Sequence, residues 1–153
     1  MKISPGQRRK SAARLYALQA LFQMEVCDQS VDAVCREFEE FRFGDAPNGG
    51  EPVAPDVVLF RGLIEHAVNF QARIDQMANR ALAEGWPIDR IDPTLRALFR
   101  AAGAELIGIG TAPKVVISEF IEVAKAFFPD GKEPKFANAV LDRMAREAQP
   151  EAF

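Results

Sequence analysis

The chain has 153 residues, of which 48% are hydrophobic and 27% are charged, and its formal net charge at pH 7 is -3. This length suits one domain with a well-formed core and is short for two. The longest apolar runs are only a few residues, so we expect no membrane-spanning helix, and no apolar stretch typical of a secretory signal follows the N-terminal cations.

The first helix is predicted to begin at Ser4 and Pro5. Ser4 is a good N-cap, Pro5 suits the first helical position, and Gln7 can complete a capping box. From Leu15 onwards the helix is apolar on most faces, which is typical of a helix in the middle of a bundle. Its charged first turns are therefore expected to project beyond the core.

Positive charge is concentrated in the first fourteen residues, which contain no Asp or Glu and hold Lys2, Arg8, Arg9, Lys10 and Arg14. The rest of the chain has 14 basic and 22 acidic residues, a balance of -8. A run of charged residues is ordinarily the solvated end of a helix, but a solvated surface usually carries both positive and negative side chains. We therefore predict an exposed, unpaired cationic patch on an acidic body.

Apolar residues in the middle of the chain also recur with helical spacing, and no stretch shows the alternation of apolar and polar residues that is typical of a strand. A second helix is predicted from Val31 to Phe43, and its apolar face holds Val34, Cys35, Phe38 and Phe41. The segment from Gly44 to Pro55 is rich in Gly and Pro and predicts a loop. A third helical region runs from Asp56 to about Leu82, with a bend near its middle.

The second half of the chain predicts three more helices. "EGWPIDRIDP" breaks the chain, and Asp92 is expected to cap a helix from Pro93 to Ile107 with Leu95, Leu98, Phe99 and Ala102 inward. "KVVISEFIEVAKAFF", which follows Pro113, carries the broadest apolar face, and "KFANAVLDRMARE" forms the last helix after the turn "PDGKEP". The sequence thus predicts an all-α, single-domain bundle of six or seven helices over residues 1–153.

Both cysteines, Cys27 and Cys35, fall on apolar helical sequence. They are expected to be reduced, half-buried thiols of a cytoplasmic protein. The only histidine, His66, lies among apolar residues and is expected to be hydrogen-bonded and partly buried. A single histidine and two cysteines without ligand spacing do not predict a metal site.

No set of reactive side chains converges in the way that an active site requires. Gly108 and Gly110 form only a bare G-x-G, which indicates a helix stop and turn. Glu105 lies in an apolar segment and is expected to be a structural hydrogen-bond hub. Glu119 and Glu122 are expected to lie on a solvated surface. The sequence favours a binding protein without catalytic activity, metal or cofactor.

The cations at the start of the first helix are suited to phosphates and to stacking on unpaired bases. Phe136 lies at the edge of the apolar stripe of the last helix, between Lys135 and Asn138. An aromatic ring with a cation and an amide beside it can stack on one base and hydrogen-bond to another. A core phenylalanine that anchors the helix start explains Phe136 equally well.

Four segments carry a resemblance to a known family. "RRKSAARLYALQALFQ" resembles the opening helix of the NusB family of transcription antitermination factors, and "LFRAAGAEL" is similar to that family's L-R-x-A-x-Y-E-L helix. "PKVVISEFIEVAKAFF" is similar to its P-x-K-V-A-I-N-E-A-[IV]-E-L-A-K segment, and "KFANAVLDRMA" to its K-F-V-N-G-V-L-D ending. The chain departs from the pattern at Ser118 (usually Asn), Ala139 (usually Gly), Ala104 (usually Tyr) and Phe22 (usually Tyr).

The resemblance implies a seven-helix bundle that pairs with the ribosomal protein NusE. The pair is implied to bind single-stranded boxA-type RNA of ribosomal RNA leaders and to act on the transcription elongation complex. The implied RNA-binding residues are Arg8, Arg9, Lys10, Arg14, Lys135, Phe136 and Asn138. Phe22 and the helix opening at Asp92 are the implied contacts of the protein partner.

Two alternatives remain open at the level of the sequence. Similar domains precede the catalytic domain of some rRNA cytosine methyltransferases, although no methyl-donor-binding sequence is present here. A helical adaptor that binds only protein, with its basic end merely solvated, is the other alternative.

Overall fold

A computed structural model of the protein describes residues 4–43, 53–82 and 87–153. The predictions for Lys2, for most of the loop from Gly44 to Pro55 and for the start of "EGWPIDRIDP" lie outside these residues. The described parts contain seven α-helices, which confirms the predicted all-α bundle: α1 Pro5–Cys27, α2 Val31–Glu37, α3 Val57–Asn69, α4 Gln71–Ala81, α5 Pro93–Ala104, α6 Pro113–Phe127 and α7 Glu133–Ala148.

Local sequence signals set the helix ends. Ser4 Oγ accepts a hydrogen bond from the backbone N–H of Gln7 at 3.2 Å, and Gln7 Oε1 accepts one from Ser4 N–H at 3.0 Å, so the predicted capping box is present. Asp92 Oδ1 accepts from Thr94 N–H at 2.7 Å and starts α5. The predicted bend in the third helical region is a break at Phe70, between α3 and α4.

Two wide π-type turns extend α2 and α5, at Phe38–Arg42 and at Glu105–Ile109. Val34, Cys35 and Phe38 are buried as predicted, but Phe41 is 73% exposed, so the prediction that it shares their face is wrong. A π-type turn closes its hydrogen bonds over five residues instead of four, which rotates the following side chains away from the α-helical face. After the second turn Gly110 adopts a positive φ of 81° and ends the segment, as the G-x-G pattern predicts.

The core forms around α1, which packs against α3, α5, α6 and α2. All of the α5 residues predicted to face inward are buried. Ala104, where the family usually has Tyr, is fully buried. A Cβ added to Gly103 would lie 2.5 Å from Ile74 Cγ2, so glycine is required where α4 crosses α5 closely.

A buried cluster of charged side chains links α1 to the π-type turn after α5 and to α6. The guanidinium of Arg14 donates from Nε and Nη2 to the two carboxylate oxygens of Glu105, at 2.8 and 2.7 Å. Its Nη1 donates to Glu119 Oε1 at 2.6 Å, and Ser11 Oγ donates to the same oxygen at 2.8 Å. The prediction that Glu105 is a structural hydrogen-bond hub is confirmed.

The same cluster overturns two other predictions. Arg14 is only 3% exposed, so it is wrong to place it in an exposed, unpaired cationic patch. Glu119 is partly buried in a hydrogen-bonded position and not part of a freely solvated surface. Burial alone would lower the pKa of Arg14, but the hydrogen bonds and negative charges of Glu105 and Glu119 raise that pKa above its ordinary value.

The two cysteines and the histidine differ from their predicted environments. Both thiols are free, but Cys27 is exposed and Cys35 is fully buried, so neither is half-buried. Burial raises the pKa of Cys35 to about 11. His66 is partly buried and stacks on Phe70, with ring centroids 5.8 Å apart, yet its buried Nδ1 has no hydrogen-bond partner in the described parts. No helix in those parts is long and apolar enough to cross a bilayer.

Replacing Arg14 by Met should lower the free energy of unfolding by about 3–5 kcal/mol at neutral pH, because the fully buried Glu105 and the partly buried Glu119 then remain together without a cation. Urea denaturation measures the effect. The matched control is Arg8→Met, which removes an exposed arginine six residues earlier. Equal losses in the two variants would contradict the buried cluster.

Candidate functional site

The exposed positive charge of α1 is concentrated in its first turns. Arg8, Arg9 and Lys10, called here the cationic patch, are all exposed, and none of them forms an ion pair within the described residues. Asp56 N–H donates to the carbonyl of Arg9 at 3.0 Å and places the start of α3 beside the patch. The N-terminal end of a helix also carries a partial positive charge. This end of α1 is therefore suited to an anion.

A groove opens between the first turns of α1 and the first turns of α6, with a volume of about 760 Å³. We call it the α1–α6 groove; its lining is Gln7, Lys10, Ser11, Arg14, Leu59, Glu105, Ile109, Thr111, Ala112, Lys114, Val115, Ser118 and Glu119. The exposed Lys10 and Lys114 bring a cation from each helix to its rim. Ser118, one of the departures from the family pattern, is exposed and lines this groove, so this departure does not alter the buried packing of α6.

Arg14 contributes to the groove in a different way from the cationic patch. All three of its guanidinium nitrogens already donate to carboxylates, so Arg14 has no free face for a phosphate. It holds Glu105 and Glu119 in place at the floor of the groove. Sequence reasoning could not find this role, because the two partners lie 91 and 105 residues further along the chain.

The wall of the groove is fixed from the C-terminal end of the chain. Gln149, which follows α7, donates from Nε2 to the carbonyls of Leu106 and Thr111, at 3.0 and 2.9 Å. These two hydrogen bonds hold the π-type turn and the connection into α6. The side chain of Ile109 within that turn is 41% exposed and forms an apolar surface in the groove.

The candidate residues of α7 lie at the opposite end of α6. Lys135 and Asn138 are exposed and line a second groove of about 580 Å³ together with Lys125, near the end of α6. Phe136 is partly buried, and its ring packs toward Phe99 with centroids 6.3 Å apart. The structure thus gives Phe136 a packing role at the start of α7 and leaves part of its ring open.

The outer face of α6 joins the two grooves. Lys114, Ser118, Glu122 and Lys125 are exposed and follow one another at spacings of three or four residues, so they lie along one line of the helix. From Lys114 to Lys125 the helix rises about 16 Å. The RNA-binding residues proposed from the sequence are therefore not one pocket but two sites at the ends of a track.

The two residues implied to contact a protein partner lie near each other. Phe22 is 37% exposed and lines an apolar groove of about 460 Å³, called here the α1–α2 groove. Its lining is Leu18, Gln19, Phe22, Gln23, Val26, Cys27, Phe38, Arg42, Thr94 and Phe127. Asp92 is exposed beside it and caps the helix turn that carries Thr94.

Within the described residues, no three His, Cys, Asp or Glu side chains form a potential metal site.

Comparison with known proteins identifies close relatives of this chain. The model of the NusB family matches residues 11–146. A protein named Transcription antitermination protein NusB, from Maricaulis maris (strain MCS10), is 46% identical over 156 aligned residues, which cover 99% of this chain and 97% of the relative.

Solved structures share the fold over nearly the same extent. NusB of T. maritima superposes with a TM-score of 0.71 at 28% identity, covering 100% of this chain and 99% of the other. A chain from the crystal structure of antitermination factors NusB and NusE in complex with dsRNA superposes with a TM-score of 0.73 at 23% identity, covering 92% and 98%. At that identity the second likeness concerns the fold alone.

The partly open ring of Phe136 can be tested for its two roles separately. Phe136→Ala should lower the free energy of unfolding by about 2 kcal/mol, less than the roughly 3–5 kcal/mol of a fully buried ring. Phe136→Leu should cost less than about 1.5 kcal/mol, because it keeps most of the apolar volume. If a base stacks on the ring, Phe136→Leu should still weaken binding of single-stranded RNA by about 1–3 kcal/mol. Urea denaturation and RNA titration measure the two effects, and an unchanged RNA affinity in Phe136→Leu would remove the ring from the interface.

Proposed function

Because the chain belongs to the NusB family, we propose that it is a transcription antitermination factor that binds boxA-type leader RNA of ribosomal RNA operons together with the ribosomal protein NusE. The observation that carries the proposal is that Lys10 of the cationic patch and Lys114 of α6, both exposed, lie together at the rim of the α1–α6 groove. Within the described residues these two lysines form no ion pair, and the chain beyond its first fourteen residues is acidic.

The track along α6 supports a short single strand as the ligand. The cationic patch and Lys114 offer positive charge at one end, and Lys125 and Lys135 offer it at the other. The two ends lie roughly 16 Å apart along α6, a distance that a few nucleotides of a single strand can span. Glu122 pairs with Lys125 at 3.3 Å and offsets part of the positive charge at that end, where Lys135 forms no ion pair within the described residues.

The rest of the surface supports a basic protein partner. Beyond the first fourteen residues the chain has a balance of -8. This charge repels RNA away from the track and attracts a basic ribosomal protein. The α1–α2 groove offers that partner an apolar anchor site, since Phe22 and the 67% exposed Val26 lie on it.

Binding of RNA and of a protein partner accounts for all of these features, and we infer that the protein has no catalytic activity. We also infer that it acts in the cytoplasm, where transcription takes place. The relative that aligns over 97% of its own length is named an antitermination protein, which supports this function over that of a methyltransferase domain. A protein-only adaptor is the second candidate, because the α1–α2 groove is well formed and independent of the cations. Retention of a boxA-type RNA at moderate salt distinguishes the two.

Charge reversal at the start of α1 tests the RNA interface. The double variant Arg8→Glu/Arg9→Glu should bind a boxA-type RNA more weakly at low salt. The slope of log affinity against log salt should fall by roughly 0.7 for each lost phosphate contact, or about 1.4 in all. The matched control is Arg36→Glu/Arg73→Glu, which reverses two exposed arginines on α2 and α4. Identical slopes for parent and double variant in gel-shift titrations would rule out the cationic patch as the RNA site.

The single exposed thiol of the α1–α2 groove reports on the protein partner. Cys27 should react with a thiol reagent at pH 8, whereas the buried Cys35 should not, because its pKa is raised to about 11. Adding the ribosomal partner should slow the labelling of Cys27. Phe22→Asp should abolish this protection, while Val68→Asp, at a similarly exposed apolar residue of α3, should keep it. Unchanged labelling of the parent protein at saturating partner would place the partner elsewhere.

A further inference from the structure

One carboxylate oxygen at the floor of the α1–α6 groove is unused. Glu119 Oε1 accepts from Ser11 Oγ at 2.8 Å and from Arg14 Nη1 at 2.6 Å. Its other oxygen, Oε2, receives no hydrogen bond from any described residue. The side chain is 25% exposed, so Oε2 is open to the groove.

The charge of this floor is unusual for a groove lined by cations. Arg14 is the only cation of the buried cluster and faces two carboxylates, so the cluster of Arg14, Glu105 and Glu119 has a net charge of -1. Glu105 is fully buried, and Glu119 is the end of the cluster that reaches the groove. A carboxylate repels a phosphate, so a bound nucleic-acid backbone must follow Lys10 and Lys114 at the rim. What faces Glu119 must then be a hydrogen-bond donor.

The remaining wall of the groove is apolar. Ile109 and Val115 are 41% and 45% exposed there, and Leu59 lies behind them. Apolar side chains can pack against the face of an unstacked base. The groove therefore combines a cationic rim for the phosphate, an apolar wall for the base face and an acceptor oxygen for the base edge.

We propose that Glu119 reads the edge of one unpaired base in this groove and selects a base with an exocyclic amino group over uracil. A carboxylate accepts a hydrogen bond from the N4 amino group of cytosine. Uracil has an acceptor oxygen, O4, at the same place, and two acceptors repel each other. Ser11 and Arg14 are positioning residues, because their hydrogen bonds to Oε1 fix the direction of Oε2. This inference rests on the proposed RNA-binding function of the groove.

The test uses a panel of short boxA-type RNAs in which each position in turn is cytosine or uracil, two pyrimidines of the same shape. Fluorescence anisotropy gives the affinity of each RNA for the full chain, alone and with its ribosomal partner. The parent protein should prefer cytosine at one position by about tenfold, within the range of a good base-edge contact. Glu119→Gln should reduce or invert that preference at this position alone, because its amide offers a donor to uracil O4.

Two further variants serve as controls. Glu65→Gln makes the same charge change at an exposed carboxylate of α3, outside the described grooves, and should leave the preference unchanged. Glu119→Asp keeps the negative charge but shortens the side chain, which moves the carboxylate oxygen away from the base. It should therefore weaken the same preference for cytosine even if Glu119→Gln folds poorly. The melting temperature of each variant is measured alongside.

The outcomes separate this inference from the proposed function. RNA binding by the parent protein without a cytosine preference at any position would overturn the role of Glu119 and leave the RNA-binding function intact. The same conclusion follows if Glu119→Gln loses affinity equally for every RNA, since the residue would then act only through the fold. Failure of the parent protein to bind any RNA would overturn both.

Discussion

The buried hydrogen bonds between Arg14, Glu105 and Glu119 are the constraint on which the functional surface depends. They join the third turn of α1, the π-type turn after α5 and the second turn of α6. Removing these charges from water is costly, and the three hydrogen bonds of the Arg14 guanidinium to the two carboxylates offset that cost. Such a cluster adds little net stability, but it defines how α1 sits against α6. The α1–α6 groove exists because that arrangement is fixed.

The two proposed binding surfaces share one helix and still lie far apart. The cationic patch is in the first turns of α1, while Phe22 and Cys27 are in its last turns. A helix of 23 residues is about 34 Å long, so an RNA and a protein can each occupy one end without competing. Beyond the cationic patch the chain is acidic, which discourages RNA from binding at the Phe22 end and favours a basic protein there.

Most of the fold could be predicted from the sequence because its signals are local. The capping box of Ser4 and Gln7, the cap at Asp92 and the apolar face of α6 each depend on residues a few positions apart. The candidate site was harder to predict from the sequence. The partners of Arg14 lie more than ninety residues away in the chain, so nothing near Arg14 indicates that it is buried. Phe41 and Cys27 illustrate the other failure: an apolar periodicity does not show where a π-type turn or a helix end places a side chain in solvent.

The hydrogen bonds from Gln149 to the carbonyls of Leu106 and Thr111 have a consequence for the order of synthesis. One wall of the α1–α6 groove is secured by a residue that leaves the ribosome long after the cationic patch. The two helices that flank the groove, α1 and α6, both precede Gln149 in the chain. The groove, however, is complete only when residue 149 has reached it. A nascent chain therefore exposes its cations well before it holds the residue that secures this wall of the ligand site.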